Sequence, residues 1–380
     1  MTRKSKARYG LKRTYKLNPT VRALRNALMA SMLATAIAPS VALAAPPYSD
    51  IPVNYQGVPG QYVFNYGDVD ASAQNIAAAI VAYSSDYDSS VYNTGILTVI
   101  ADAGAYGEFA DFALAAGIYT SATNGDSEVS NFGSMEVTAV AVNYGSAQAY
   151  GIAVGSNASS VAGDGVVYNY GDIDISAISE NGNASAIGID IAVGDYAFVE
   201  NTGDITLSAS VEGSNGYGTT ATAIGINVVA DYINILNSGD ITASADNNSN
   251  YGASIAIGIN AEAYTDITIS NSGDISLTGS SGDGYYFGGY YPNYIYITGD
   301  FVATGINAES TLGSITIDNS GDINIVDLND GGIAGGFRTG DAFNGISAKT
   351  ILGDSSITNS GDITISGGEE VIGIVASTNF

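Results

Sequence analysis

One phrase, Asn-x-Gly-Asp followed by Ile or Val, recurs along the chain and constrains its fold more than any other feature. From Asn169 onward, successive copies lie 32, 36, 34, 48 and 40 residues apart. A repeat of this length predicts stacked supersecondary units that each contact their neighbours, rather than one globular core. Complete copies begin at Asn65, Asn169, Asn201, Asn237, Asn271, Asn319 and Asn359, and copies without the Asp begin at Asn93, Asn131 and Asn143.

A second phrase, Gly-Ile, falls between the copies of the first. It begins at Gly117, Gly151, Gly188, Gly225, Gly258, Gly305, Gly345 and Gly373. One repeat is therefore interpreted as a Gly-Ile strand, a short turn, an Ile-x-Ile strand, the Asn-x-Gly-Asp turn, a second Ile-x-Ile strand and a variable return.

Apolar residues alternate with polar ones inside these segments. Ile315 and Ile317 are flanked by Ser, Thr and Asp, and Ile267 and Ile269 follow the same pattern. A period of two predicts a strand with one buried face. The Ala-rich stretch 71–83 is the one ambiguous segment, and we interpret it as strand and turn. Stacked coils would place each Ile about 4.8 Å from its equivalent and close an apolar column. The predicted fold is an all-β, right-handed parallel β-helix, or solenoid.

The turn phrase predicts a structural role for its Asn and Gly. The Gly is expected to supply a backbone with positive φ. The Asn amides are expected to bond to their own turn or to each other as a ladder. The Asp can accept turn N–H groups, point to water, or bridge coils through calcium, although the calcium β-roll pattern is missing and no cofactor is predicted. The predicted structural-turn residues are Asn169, Gly171, Asn201, Gly203, Asn237, Gly239, Asn271, Gly273, Asn319, Gly321, Asn359 and Gly361.

The first 44 residues differ from the rest and predict a secretory signal. They contain nine of the 11 Lys and Arg residues and no acidic residue. An apolar stretch over 27–37, Pro39 and the small-residue triplet 42–44 follow, as in a signal peptide cleaved after Ala44. The apolar stretch is shorter than the roughly 20 residues that span a bilayer, so a retained anchor is the weaker alternative. Residues 45–64 are predicted to form a cap or linker, and residues 65–380 the repeats, which end in mid-array.

The charge of the remaining chain excludes several classes of function. Only Arg338 and Lys349 are cationic there, against 38 Asp and Glu residues. Such a surface repels nucleic acid and anionic membranes. Because the chain has no Cys and no His, it has no disulfide, no thiolate or imidazole metal site and no Ser-His-Asp group.

The long basic signal, the acidic Gly/Asn/Thr/Ser-rich repeats and the absence of Cys resemble the passenger region of Gram-negative autotransporters and related adhesins. The resemblance covers 46–380 and implies export through the periplasm and outer membrane to the cell surface or medium. It also implies an outer-membrane translocator as a partner. No barrel-like run of strands precedes Phe380, so the translocator is expected in a missing C-terminal part or on a separate chain.

The predicted function is a stiff, non-enzymatic scaffold that contacts host or neighbouring-cell glycans or proteins. A possible ligand-contact loop comprises Tyr285, Tyr286, Phe287, Tyr290, Tyr291 and Tyr294. The alternatives are a β-helical polysaccharide lyase or hydrolase and a self-associating biofilm protein. Candidate carboxylate pairs for the enzyme are Asp86 with Asp88, Asp164 with Asp172, and Glu369 with Glu370.

Overall fold

The computed structural model contains three sheets of parallel strands, and one strand from each sheet forms each successive coil. This arrangement confirms the predicted parallel β-helix. Every coil passes through sheets B, C and A in that order, which is consistent with the right-handed form that parallel crossovers favour. All described residues belong to one unit, Pro47–Phe380. The structure describes residues 53–56, 61–84, 87–103, 112–122, 125–155, 163–213, 218–249, 252–286, 295–298, 300–328, 341–367 and 370–378. The predicted signal, 1–44, lies outside them.

The strands of the three sheets alternate along the chain. Sheet A contains β1 (Val53–Gln56), β4 (Ile76–Ser84), β7 (Ala113–Ala122), β10 (Ala147–Gly155), β13 (Ala184–Ala192), β16 (Thr220–Ala230), β19 (Ala253–Ala263), β24 (Phe301–Ser310), β27 (Ala342–Thr350) and β30 (Glu370–Thr378). Sheet B contains β2 (Gln61–Asn65), β5 (Ser89–Asn93), β8 (Ser127–Asn131), β11 (Gly165–Asn169), β14 (Tyr196–Asn201), β17 (Tyr232–Asn237), β20 (Ile267–Asn271), β25 (Ile315–Asn319) and β28 (Ser355–Asn359). Sheet C contains β3 (Val69–Ala73), β6 (Leu97–Ala103), β9 (Met135–Ala141), β12 (Ile173–Ser179), β15 (Ile205–Val211), β18 (Ile241–Asn247), β21 (Ile275–Ser280), β26 (Ile323–Asp327) and β29 (Ile363–Ser366). The remaining pair, β22 (Asp283–Tyr286) and β23 (Ile295–Thr298), is antiparallel.

One strand from each sheet makes a rung, and the described chain contains nine rungs. Rung 1 consists of β2, β3 and β4, and rung 9 consists of β28, β29 and β30. Strand β1 and most of β2 lie within residues 45–64, which were predicted to form a cap or linker. Strand β1 pairs with β4 in sheet A, and β2 pairs with β5 in sheet B. The stretch 71–83 forms strands β3 and β4 as predicted, and among the described residues no helix is long and apolar enough to cross a membrane.

The predicted isoleucine columns form the interior. In sheet C, the residue after each complete turn phrase pairs with its equivalent in the next rung, as in Ile241 with Ile275 and Ile275 with Ile323. These side chains are fully or almost fully buried. Sheet A carries a second column that includes Ile226, Ile259 and Ile306. Parallel strands in register therefore keep identical side chains in contact along the helix axis.

The Gly of the Gly-Ile phrase lies inside the sheet A strands, and at every copy except the last, Gly373, a larger residue would meet atoms of the next rung. A Cβ on Gly225 would lie 2.5 Å from the carbonyl oxygen of Gly258 and 2.5 Å from Cγ2 of Ile241. Inward and outward side chains alternate on each side of Gly225, but the alternation changes phase at the glycine. Ala223 and Ile226, three residues apart, are therefore both buried in the core. The glycine thus allows the sheet A strand to change direction at this point, and the sheet C side chain of Ile241 packs against it.

Candidate functional site

The predicted turn asparagines form one continuous ladder along the edge between sheets B and C. The side chain of Asn201 donates one Nδ2 proton to the carbonyl oxygen of Gly203 at 2.8 Å and the other to Oδ1 of Asn237 at 2.8 Å. Its own Oδ1 accepts from Nδ2 of Asn169 at 2.7 Å. The same contacts repeat in every rung, through Asn65, Asn93, Asn131, Asn169, Asn201, Asn237, Asn271, Asn319 and Asn359. Both N–H groups and the oxygen of each internal amide have a partner, as is usual for a buried polar group.

The prediction that the turn glycines adopt positive φ is wrong. Among the described glycines only Gly218 and Gly367 have positive φ, and neither belongs to a turn phrase. Close approach explains the glycine instead, since a Cβ on Gly203 would lie 2.1 Å from the carbonyl oxygen of Gly171. The shortened copy at Asn143 is also different: it lies between sheets C and A and itself has a φ of 55°.

The Asp residues of the turn phrase line an exposed column beside the asparagine ladder. Oδ1 of Asp172 accepts the backbone N–H of Asp204 at 3.1 Å, and Oδ1 of Asp240 accepts that of Asp274 at 2.8 Å. Each carboxylate therefore links its own rung to the next rung by accepting a backbone N–H from it. Among the described residues, no group of three or more acidic side chains is arranged to hold a metal ion.

Of the carboxylate pairs considered for catalysis, Asp164 with Asp172 is the one that lies wholly within the described residues, and the structure does not bring these two together. Asp86 and Glu369 lie outside the described residues. Asp88 accepts the backbone N–H of Asp126 at 3.0 Å, which makes it a turn acceptor. Asp164 and Asp172 lie at opposite ends of β11, a strand of five residues, and so are roughly 16 Å or more apart. A glycosidase pair is separated by about 5 to 9.5 Å.

Two residues of the predicted ligand-contact loop lie in a described strand. Strand β22 contains Tyr285 and Tyr286 and pairs antiparallel with β23, between sheet C strand β21 and sheet A strand β24. The other predicted contact residues, Phe287, Tyr290, Tyr291 and Tyr294, lie outside the described residues.

A row of aromatic rings in contact, some stacked and some tilted, lies on the outer face of sheet B and its turn, across rungs 1 to 4. We call it the aromatic ladder; it comprises Phe64, Tyr66, Tyr92, Phe132 and Tyr170. Ring centroids are 6.1 Å apart between Phe64 and Tyr92, 5.3 Å between Tyr92 and Phe132, and 4.8 Å between Phe132 and Tyr170. Tyr66 is 72% exposed, Phe64 61% and Phe132 47%.

The spacing of the ladder follows from the register of the β-helix. Phe64 and Tyr92 occupy the outward position before the turn Asn, whereas Phe132 and Tyr170 occupy the second position of the turn phrase. Equivalent positions in successive rungs are about 4.8 Å apart, close to the preferred separation of stacked rings. From rung 5 onward the second position of the phrase is Thr or Ser, so the aromatic ladder ends at rung 4.

Sequence reasoning singled out the tyrosine insertion and missed this surface. The available signal was the identity of the residues beside each turn Asn: at least one of them is aromatic in the first four rungs, and none is from rung 5 onward. A second aromatic cluster continues the trend on rungs 4 to 6, with Tyr168 against Phe198 at 5.6 Å and Tyr196 against Tyr232 at 5.5 Å.

No protein-family model, curated protein or solved structure matches the chain. The chemistry of its surfaces must therefore be judged from their own geometry. Large exposed aromatic patches are rare on soluble monomers and mark places where a partner binds. Their flat faces and phenolic hydroxyl groups suit ligands that present both C–H and O–H groups.

Sheet A differs, because several outward side chains of its central strands are also buried. Tyr150 is 8% exposed and Ile187 2%. A second amide row crosses this face: Asn260 donates to Asn227 at 2.9 Å, and Asn227 donates to the carboxylate of Asp190 at 2.7 Å. Burial raises the pKa of Asp190 to about 6, against the opposing effect of the hydrogen bond from Asn227. Burial also raises the pKa of Tyr150, and the charge of Asp190 adds a smaller effect in the same direction.

Proposed function

We propose that this protein is an exported structural protein that mediates adhesion at the bacterial surface, using its β-helix as a stiff support for an adhesive face. The single observation that carries the proposal is the aromatic ladder, a row of five rings, four exposed and Tyr92 half-buried, on a scaffold with a buried core. Burying such rings against a partner would recover the hydrophobic free energy that the folded chain leaves unused.

The arrangement suits adhesion because the rings are held in line before any partner binds. Each ring projects from a rung fixed by its asparagine ladder contacts, and in rungs 2 to 4 by sheet B strands on both sides. Little side-chain ordering is then required on contact, which lowers the entropic cost of binding. Repetition along the axis also allows several weak contacts to act together.

Export is part of the same proposal. It is supported by the basic, signal-like first 44 residues and by the strongly acidic, Cys-free chain that follows. An outer-membrane translocator is the corresponding secretion partner, and the cell surface or the medium is the corresponding location. The tyrosine-rich sequence 283–298, which contains the predicted ligand-contact loop, is a second place where a host or neighbouring cell could be contacted.

Beads coated with the full chain test adhesion directly. The variant Tyr92→Ser/Phe132→Ser/Tyr170→Ser removes the centre of the ladder and uses a residue type that the later rungs tolerate. We expect wild-type beads to resist detachment under flow from layers of intact bacteria or cultured epithelial cells, and the variant beads to detach. Leu236→Ser, on the outer face of sheet B beyond the ladder, is the matched control. If all three kinds of bead detached alike from every layer, the adhesive role would be rejected.

A further inference from the structure

The shape of the aromatic ladder limits the kind of partner it fits. The rings lie on the outer face of a sheet and its turn, in a line that crosses four rungs. Such a surface meets an extended partner along its length. A ribbon with repeating flat apolar faces matches it, because each ring can stack against one repeat.

Charge limits the partner further. Asp68 and Glu128 are exposed beside the ladder, and Tyr170 donates a hydrogen bond to Glu200 at 3.2 Å. Among the described residues Lys349 is the single cationic side chain, and it lies in rung 8 within 3.6 Å of Glu309. Anionic glycans and a second copy of this acidic chain would therefore be repelled from the ladder. A neutral partner would not.

From these constraints we propose that the aromatic ladder binds neutral, β-linked polysaccharide chains along their extended axis. This inference rests on the proposed adhesive function and specifies its ligand class. In a β-linked glucan with equatorial hydroxyl groups, each sugar ring presents a flat C–H face, which packs on the exposed parts of the aromatic rings. The equatorial hydroxyl groups reach the phenol groups of Tyr66, Tyr92 and Tyr170 and the carboxylates beside them, which accept hydrogen bonds.

Affinity electrophoresis of the full chain tests the ligand class, with mixed-linkage β-glucan or polygalacturonate cast into the gel. We expect retardation by the neutral glucan and none by the anionic polymer. Loss of two or three stacked rings, each worth about 0.5–1.5 kcal/mol, should weaken glucan binding roughly tenfold or more in Tyr92→Ser/Phe132→Ser/Tyr170→Ser. Leu236→Ser should bind like the wild type. Circular dichroism melts of both variants show whether the fold is retained.

Binding isotherms with soluble mixed-linkage β-glucan at low and high salt provide a second readout. A neutral ligand predicts little change with salt, because screening acts on charges. Equal glucan binding by the ladder variant and the wild type would overturn the proposal, as would binding to polygalacturonate that weakens with salt. Ladder-dependent self-association in sedimentation, without glucan binding, would identify a second copy as the occupant and also overturn it.

The two proposals fail in different ways. If wild-type beads adhere to cells through the ladder but the chain binds no glucan, the ligand class is wrong and adhesion stands. If the beads do not adhere and glucan still binds the ladder, the ligand class is correct and the adhesive role is wrong.

Discussion

At the scale of the residue, the asparagine ladder is the clearest link between sequence and stability. A buried amide is costly unless each of its groups has a partner, and the turn geometry supplies a carbonyl from the same turn and an amide from each neighbouring rung. One Asn per rung is therefore constrained by both local and non-local contacts. Thr202, the next residue, has an exposed side chain and is not constrained in this way.

Replacement of Asn201 by Ala should lower the free energy of unfolding by about 2–4 kcal/mol, because three buried partner groups lose a hydrogen bond. Urea denaturation followed by circular dichroism measures the change. Thr202→Ala is the control and should change stability by less than about 0.5 kcal/mol. An Asn201→Ala variant as stable as the control would mean that the ladder contributes nothing to folding.

At the scale of the element, sheet A combines a buried outer face with a carboxylate at the end of its amide row. The raised pKa of Asp190 means that the folded state disfavours the charged form. Stability contributed by this site is therefore highest at low pH and falls as the pH rises from about 4 to about 6, where the folded group ionises.

Asp190→Asn should remove this pH dependence and retain an acceptor for the Nδ2 group of Asn227. At neutral pH we expect a gain on the order of 1–2 kcal/mol, discounted because the carboxylate is only part-buried, and no gain near pH 4. Thermal melts at both pH values measure the difference. Asp174→Asn, an exposed change on sheet C, controls for the general loss of negative charge. A gain of the same size at both pH values would contradict the explanation.

At the scale of the whole molecule, the β-helix is a one-dimensional array in which each rung contacts its neighbours. Deleting 233–266 removes one repeat of 34 residues and joins Tyr232 to Ile267, which is the register partner of Ile233. The sheets and the asparagine ladder can then close again over the gap. The variant should retain a strand-dominated circular dichroism spectrum and a cooperative melt at a somewhat lower temperature.

Insertion of one serine between Ile267 and Thr268 changes far less of the chain but should destabilise it more. Within a strand of period two, a shift by one residue turns either Ile267 outward or both Ile269 and Asn271 outward. Comparison of the melting temperatures of the deletion variant and the insertion variant tests this expectation. The rung model would be abandoned if the insertion were tolerated better than the deletion.

The fold class, the strand period and the isoleucine columns could be predicted from the chain, because alternation and repeat length are local patterns that one stacking mode satisfies. The turn asparagines could be recognised for the same reason. The cause of the turn glycines could not, since Gly203 is required by a carbonyl group of the preceding rung that is 32 residues away in sequence. The aromatic ladder was also missed, because Tyr92 and Phe132 occupy different positions of the repeat. Only the stacking of rungs brings their rings within 5.3 Å.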